Sequence, residues 1–196
     1  MRVIAGSARG RRLFSPEGNS KKHAIRPTSD RCRESVFNIL GNERVKGCRV
    51  LDLFAGTGAL GIEALSRGAG ETVFVDSGTE SLTLIKRNLQ AIGFLSYQLF
   101  KRDITKGLFF LGKRTAEPVN GEQVGFDLVF LDPPYQKNYC NQVLTELCDN
   151  GLVNLGGVVV CEEYRACELP EQSGILTVYD KRVYGDTGFW FYTRKA

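Results

Sequence analysis

Leu51-Asp52-Leu53-Phe54-Ala55-Gly56-Thr57-Gly58-Ala59-Leu60-Gly61 carries a short apolar strand into a helix through a glycine turn. Gly56, Gly58 and Gly61 satisfy the pattern G-x-G-x-x-G, and Asp76 ends the next strand twenty positions after Gly56. On spacing alone this fits a dinucleotide, and an NAD-dependent oxidoreductase is one reading. The local chemistry argues against it. A diphosphate rests on a helix N-terminus, where an acidic neighbour repels it, and Asp52 stands at the mouth of this turn ahead of the glycines. S-adenosylmethionine carries no phosphate; it offers an ammonium, a carboxylate, a sulfonium and a ribosyl adenine. Asp52 can attract its cationic end, directly or through water, while Phe54, Gly56, Thr57 and Gly58 bring the backbone of the turn close to the ligand. Asp76 would accept both ribose hydroxyls. Asp103, ending the following strand, would accept the adenine amino group or simply cap a helix. For Asp52 and Asp76 the plainer alternative is a surface turn, but both fall at the carboxyl ends of parallel strands, where such folds place ligands.

Outward from this turn, strand and helix alternate. Residues 49–54 are a central strand, 59–67 a helix, 72–76 a strand, and 79–92 a helix with Leu82, Ile85, Leu89 and Ile92 on its inner stripe. Strands at 97–100, 126–131 and 158–162 and a helix at 139–148 continue the series, which predicts a parallel sheet with helices on both faces. Upstream, Cys32, Val36, Phe37 and Leu40 share a face of a helix capped by Thr28 or Ser29 and ended by Gly41. Residues 2–5 and 11–14 alternate weakly and could pair as a small hairpin, with a polar loop at 15–27. Residues 112–125, with Pro118, Gly121 and no periodicity, read as a mobile loop. The chain ends differently. Residues 176–184 and 189–194 are strand-like with only Gly185-Asp186-Thr187-Gly188 between them, so they form a terminal antiparallel hairpin.

Asp132-Pro133-Pro134-Tyr135 follows the buried strand 126–131 directly. Pro133 holds Asp132 in extended backbone, and neither proline has an N–H, so nearby carbonyls stay free to face a ligand. A carboxylate, a fixed carbonyl and an aromatic ring suit a planar base with an exocyclic amine: Asp132 and the Pro133 carbonyl take its two hydrogens while Tyr135 stacks on the ring. The tetrapeptide is similar to the Asn/Asp-Pro-Pro-Tyr/Phe/Trp motif of methyltransferases acting on amino nitrogens. Taken alone, it fits an ordinary strand end and proline turn equally well.

At 196 residues the chain suits one domain. No stretch has the length of a membrane span, and the charged start lacks the apolar core of a signal peptide, so an intracellular, cytoplasmic protein is expected. Six cysteines without a Cys-x-x-Cys and a lone His23 among lysines indicate neither a metal site nor a disulfide frame. Charge is uneven. Residues 1–50 hold 12 Lys+Arg against 4 Asp+Glu, a net +8 that leaves −4 on the remainder of a +4 chain. Such an arm is a footprint for nucleic acid, with Arg9, Arg11, Arg12, Arg26 and, beyond the tetrapeptide, Lys137 as candidate contacts. The alternative is a solvated tail.

With these residues assembled, the chain resembles the RsmD family of bacterial 16S rRNA guanine-N2 methyltransferases, nearly end to end. The resemblance rests on Arg2-Val3-Ile4-Ala5-Gly6 with Gly10-Arg11, Arg26-Pro27-Thr28-Ser29-Asp30-Arg31 with Arg33-Glu34-Ser35-Val36-Phe37-Asn38, the glycine-turn string continued to Ala69, Asp132-Pro133-Pro134-Tyr135, and Tyr184-Gly185. It implies a Rossmann-like methyltransferase domain over residues 1–196, with a mostly parallel seven-stranded sheet, a C-terminal antiparallel hairpin and a basic arm over 1–28. It also implies S-adenosylmethionine as cofactor, with Thr28 and Asp30 in its site, although these two equally fit a simple helix start. The implied partner is 16S rRNA within an assembling or assembled small subunit; nothing in the residues demands a partner chain, so a monomer is expected. The residues themselves leave a DNA adenine-N6 methyltransferase open, since the same acceptors would hold an adenine amine. A nucleic-acid-binding module that has kept the fold without catalysis is a third reading.

Overall fold

A computed structural model describes residues 1–15, 29–111 and 125–195. His23, Arg26, Thr28 and all but the last residue of the 112–125 loop lie outside them. Two compact units follow in the chain, Met1–Arg102 and Asp103–Ala196.

In the first unit, α1 (Asp30–Leu40) starts where Ser29 Oγ accepts from the Cys32 N–H at 3.1 Å, buries Val36, Phe37 and Leu40 on one face, and stops at Gly41, whose φ of 76° few other residues adopt. After a single turn, α2 (Asn42–Val45), the strands β1 (Arg49–Leu53), β2 (Glu71–Asp76) and β3 (Tyr97–Lys101) pair in parallel in the order β1-β2-β3. β1 is buried over its last four residues, as expected of a strand covered on both faces. The crossovers are α3 (Ala59–Ser66) and α4 (Thr79–Ile92). α3 is buried all round, so its acidic Glu63 must find partners inside the protein.

The amino-terminal residues supply them. Ile4 and Ala5 donate their N–H groups to Glu63 at 2.8 and 3.0 Å, and Arg67 Nε donates at 2.8 Å. Arg33, fully buried, donates to Arg2 O at 2.5 Å and to Asp30 Oδ1 at 2.9 Å, with Nε 4.0 Å from Glu63. Val3, Ala8 and Leu13 join a core cluster with Ile62, Phe74, Ile85 and Leu89, and a Cβ on Gly6 would lie 1.8 Å from Ser66 O. Val3, Ala8 and Leu13 thus anchor residues 1–14 to the core, while Arg9, Arg11 and Arg12 stay exposed. The expected hairpin reduces to one antiparallel bridge, Arg2↔Arg12, because these residues spend their hydrogen bonds on α3 as well as on each other.

The second unit opens with a short 3-10 turn (Ile104–Lys106), then β4 (Phe126–Leu131), α5 (Tyr139–Asp149) and β5 (Val153–Tyr164), which pairs in parallel with β4. β5 begins five residues earlier than the sequence pattern suggests. Gly156 (φ 75°) and Gly157 interrupt the alternation there, and the β4–β5 register shifts between Phe126 and Leu128. Antiparallel pairs close the unit: β6 (Gln172–Ser173) on β7 (Leu176–Tyr184), β7 on β8 (Thr187–Arg194), and β8 on β5. Among the described residues the two-residue β6 brings the strands to eight; it is too short to leave a pattern in the sequence. The hairpin turn is tighter than expected: Tyr184 pairs with Thr187, leaving only Gly185 and Asp186 to make it.

Candidate active site

Two constellations of the expected residues form, one in each unit. In the first, β1 ends at Leu53 and the chain turns through Phe54 (φ 57°), Gly56 (φ 52°) and Gly58 (φ 73°) into α3. A positive φ at a bulky residue such as Phe54 costs of order 1–3 kcal/mol and persists only where the surroundings dictate it, as they do at many ligand sites. Gly61 serves packing, since a Cβ there would meet the Phe74 ring at 2.3 Å.

Two carboxylates hold the turn. Asp76 accepts from the Gly56 N–H with one oxygen at 2.9 Å and from the Gly78 N–H with the other at 2.7 Å. Each oxygen keeps a further lone pair, and the residue remains partly exposed. Asp52 is buried and accepts from the Gly61 N–H at 2.9 Å, at the positive end of α3. Burial pushes its pKa up to about 8; the Gly61 N–H opposes this and the nearby Asp76 charge adds to it. Thr57 is buried, and its carbonyl accepts from Asn88 at 3.3 Å; Asn88 also donates to Phe14 O at 3.2 Å and accepts from Phe14 N–H at 2.7 Å. Asn88 therefore splices the basic arm to the glycine turn. It sits unremarkably on a helical stripe, so no sequence signal marks it.

In the second unit, β4 delivers Asp132, partly exposed, to the strand end, with Pro133 buried and Pro134 exposed. Tyr135 is half-buried. Its hydroxyl donates to Glu162 Oε1 at 2.8 Å and lies 3.1 Å from Thr187 Oγ1, and its ring centroid is 6.5 Å from that of Tyr164. Gln136 (φ 61°) and Asn138 (φ 57°) then swing the chain into α5, with the Gln136 N–H donating to Glu163 Oε1 at 3.0 Å. Burial first, then the charge of Glu162, pushes the Tyr135 phenol well above its ordinary range, and Asp132 is near enough to add to the effect. Tyr135 is a neutral phenol at every working pH. Glu162, Glu163 and Thr187 were not foreseen in the sequence. The signal was there for the glutamates: Cys161-Glu162-Glu163 sets carboxylates behind an apolar run, as Leu131-Asp132 does.

The remaining candidates have partners of their own or lie exposed. Asp103 caps the 3-10 turn, accepting from the Thr105 N–H at 3.1 Å and hydroxyl at 2.6 Å, which realises the capping alternative. Asp30 opens α1 and binds Arg33. Arg9, Arg11 and Arg12 are exposed on the arm, and Lys137 is exposed beyond Tyr135. Among the described residues no His, Cys, Asp and Glu cluster could hold a metal ion, and no helix is long and apolar enough to cross a membrane.

Parallel strands joined by helices, a glycine turn with an acid at the end of the next strand, and a closing antiparallel hairpin define the Rossmann-like methyltransferases. Solved structures agree. A protein described as a methyltransferase, YhhF of Escherichia coli, superposes with a TM-score of 0.81 at 28% identity, covering 100% of this chain and 98% of that one. HI0767 of Haemophilus influenzae, described as a methylase, gives 0.76 at 29% identity with the same coverage. The family model described as Conserved hypothetical protein 95 matches residues 1–193. Ribosomal RNA small subunit methyltransferase D of Haemophilus influenzae is 38% identical over 83% of this chain and 78% of its own length; the Escherichia coli K12 protein of that name is 32% identical over 100% and 91%. The chain belongs to this family, the RsmD family.

Proposed function

We propose that the chain transfers a methyl group from S-adenosylmethionine to the exocyclic N2 amine of one guanine in the 16S rRNA of the small ribosomal subunit. The protein is a methyltransferase acting on rRNA. The observation that supports transfer to an amine is the Asp132-to-Tyr135 constellation: an acidic side chain at a strand end, followed by a proline carbonyl and a tethered aromatic ring; the choice of a 16S rRNA guanine rests on membership of the family.

The glycine turn suits the cofactor. Asp76 keeps acceptor capacity for two ribose hydroxyls, and Asp52 stands at the start of α3 to meet a cationic group. These residues, with Phe54 and Thr57 shaping the turn, Thr28 ahead of α1 and Asp30 at its start, hold the cofactor, which when bound supplies an electrophilic methyl on a sulfonium. Asp103 caps the 3-10 turn through Oδ1, and its Oδ2, 3.8 Å from Lys106 Nζ, keeps acceptor capacity for the adenine amine.

The guanine amine is a poor nucleophile because its lone pair is delocalised into the ring. Asp132 and the Pro133 carbonyl accept its two hydrogens, favour a pyramidal nitrogen and aim the lone pair, while Tyr135 stacks on the base. Catalysis rests on positioning and preorganised acceptors. Arg9, Arg11, Arg12, Arg26 and Lys137 meet RNA phosphates. Residues 1–196 work as one domain and as a monomer, in the cytoplasm where the rRNA is.

The test is incubation of labelled cofactor with unmethylated small subunits, naked 16S rRNA and DNA, each then digested to nucleosides. N2-methylguanosine from the ribosomal samples is expected. N6-methyladenine from DNA would overturn the reading.

A further inference from the structure

We infer that Glu162 is a positioning residue for the transfer: with Thr187, it tethers the Tyr135 hydroxyl and so fixes the plane in which the ring receives the base. The inference rests on the stacking role given to Tyr135 above and goes beyond it, to residues outside the tetrapeptide.

Stacking uses the face of an aromatic ring and makes no demand on a hydroxyl. Here the hydroxyl is nonetheless doubly engaged, at 2.8 Å by Glu162 and at 3.1 Å by Thr187. A tyrosine side chain has two free torsions. With its Cα held by the buried Pro133 and the Gln136–Glu163 bond, a fixed hydroxyl at the far end leaves neither torsion free. The tethering atoms belong to strands, the rigid part of this unit: Glu162 lies on β5, Thr187 on β8, and β8 pairs with β5 along its length, Tyr164 opposite Thr187. Glu162 is only 6% exposed, and a carboxylate so buried needs donors; the phenol provides one in a charge-assisted bond. A free ring would sample several rotamers, and a base stacked on it would stray from its acceptors.

The experiment is a double-mutant cycle read in methyl-transfer kinetics on the ribosomal substrate, with cofactor affinity measured by calorimetry on every variant. Glu162→Ala and Tyr135→Phe should each lower kcat/KM for the RNA by about 10- to 100-fold, the usual effect of a misplaced reacting group, and leave cofactor affinity unchanged. The double variant should cost no more than either single one. Glu162→Gln, whose amide oxygen still accepts from the phenol, should stay within a few-fold of wild type. Should Glu162→Ala fail to bind cofactor and so to fold, Thr187→Val with Tyr135→Phe supplies the same cycle from the other side of the tether. Costs that multiply in the double variant, or a Glu162→Ala enzyme as fast as wild type, would overturn the tether while leaving stacking intact. A Tyr135→Ala enzyme at wild-type rate would instead sink the stacking role itself.

Discussion

The glycine turn and the tetrapeptide loop each end a buried parallel strand with an aspartate, yet the two are built by opposite means. The turn is fixed by backbone: positive φ at Phe54, Gly56 and Gly58, N–H groups donated to Asp52 and Asp76, and a close approach at Gly61 that admits no side chain. The loop is fixed by side chains: a phenol on Glu162 and Thr187, and Glu163 on the Gln136 N–H. In the proposed function a flexible, polar cofactor meets a rigid main chain, and a planar base meets a ring that must be held at one angle. On this comparison the first region sets affinity for cofactor and the second sets rate.

The largest effect that would break the comparison is at Asp132. Replacing it by alanine should lower the methyl-transfer rate by about 10²–10³, as removing one preorganised acceptor does, with cofactor affinity intact by calorimetry. Asp76→Ala should do the reverse, weakening cofactor binding by about 10- to 100-fold through the loss of charge-assisted hydrogen bonds. An unchanged affinity would remove Asp76 from the site.

Asp52 sharpens the same point through pH. Its pKa of about 8 leaves it mostly protonated at neutral pH in the free protein. A cationic ligand favours the ionised form, so cofactor affinity should rise with pH up to about 8, by at most tenfold per unit, and binding should release a proton. Calorimetry in buffers of different ionisation enthalpy measures that proton; Asp52→Asn should abolish both effects. Stability runs the other way. An unfolded Asp52 ionises in the ordinary carboxylate range, so this residue takes stability away as pH climbs from there to about 8. The smallest effect expected is at the arm. Alanine at both Arg11 and Arg12 should weaken RNA binding a few-fold and flatten its salt dependence by about one unit of slope for each phosphate no longer neutralised.

The difference between the regions also explains what the sequence made legible. The turn could be read because φ > 0 and close approach require glycine, so backbone geometry is written in residue identity at Gly56, Gly58 and Gly61. Tyr135 could be picked out, but not the tether that orients it, because Glu162 and Thr187 are 27 and 52 residues away and meet it only through the β5–β8 register. The arm shows the same limit. Its charge is plain in the sequence, but its anchoring depends on Glu63 in α3, 58 and 59 residues on from Ala5 and Ile4, a separation no local pattern spans. Asp103 was open to two readings because an acid behind a strand serves a ligand or a cap by the same geometry. β6 left no trace, since two residues carry no period.

The division of labour is tested most directly by single-turnover transfer at excess RNA, titrating cofactor against Asp76→Ala and Asp132→Ala side by side. Asp76→Ala should climb back to within a few-fold of the wild-type rate once cofactor saturates, while Asp132→Ala levels off about 100-fold or more below it at every concentration. An Asp132→Ala rate restored by cofactor, or an Asp76→Ala rate that stays low at saturation, would contradict the account.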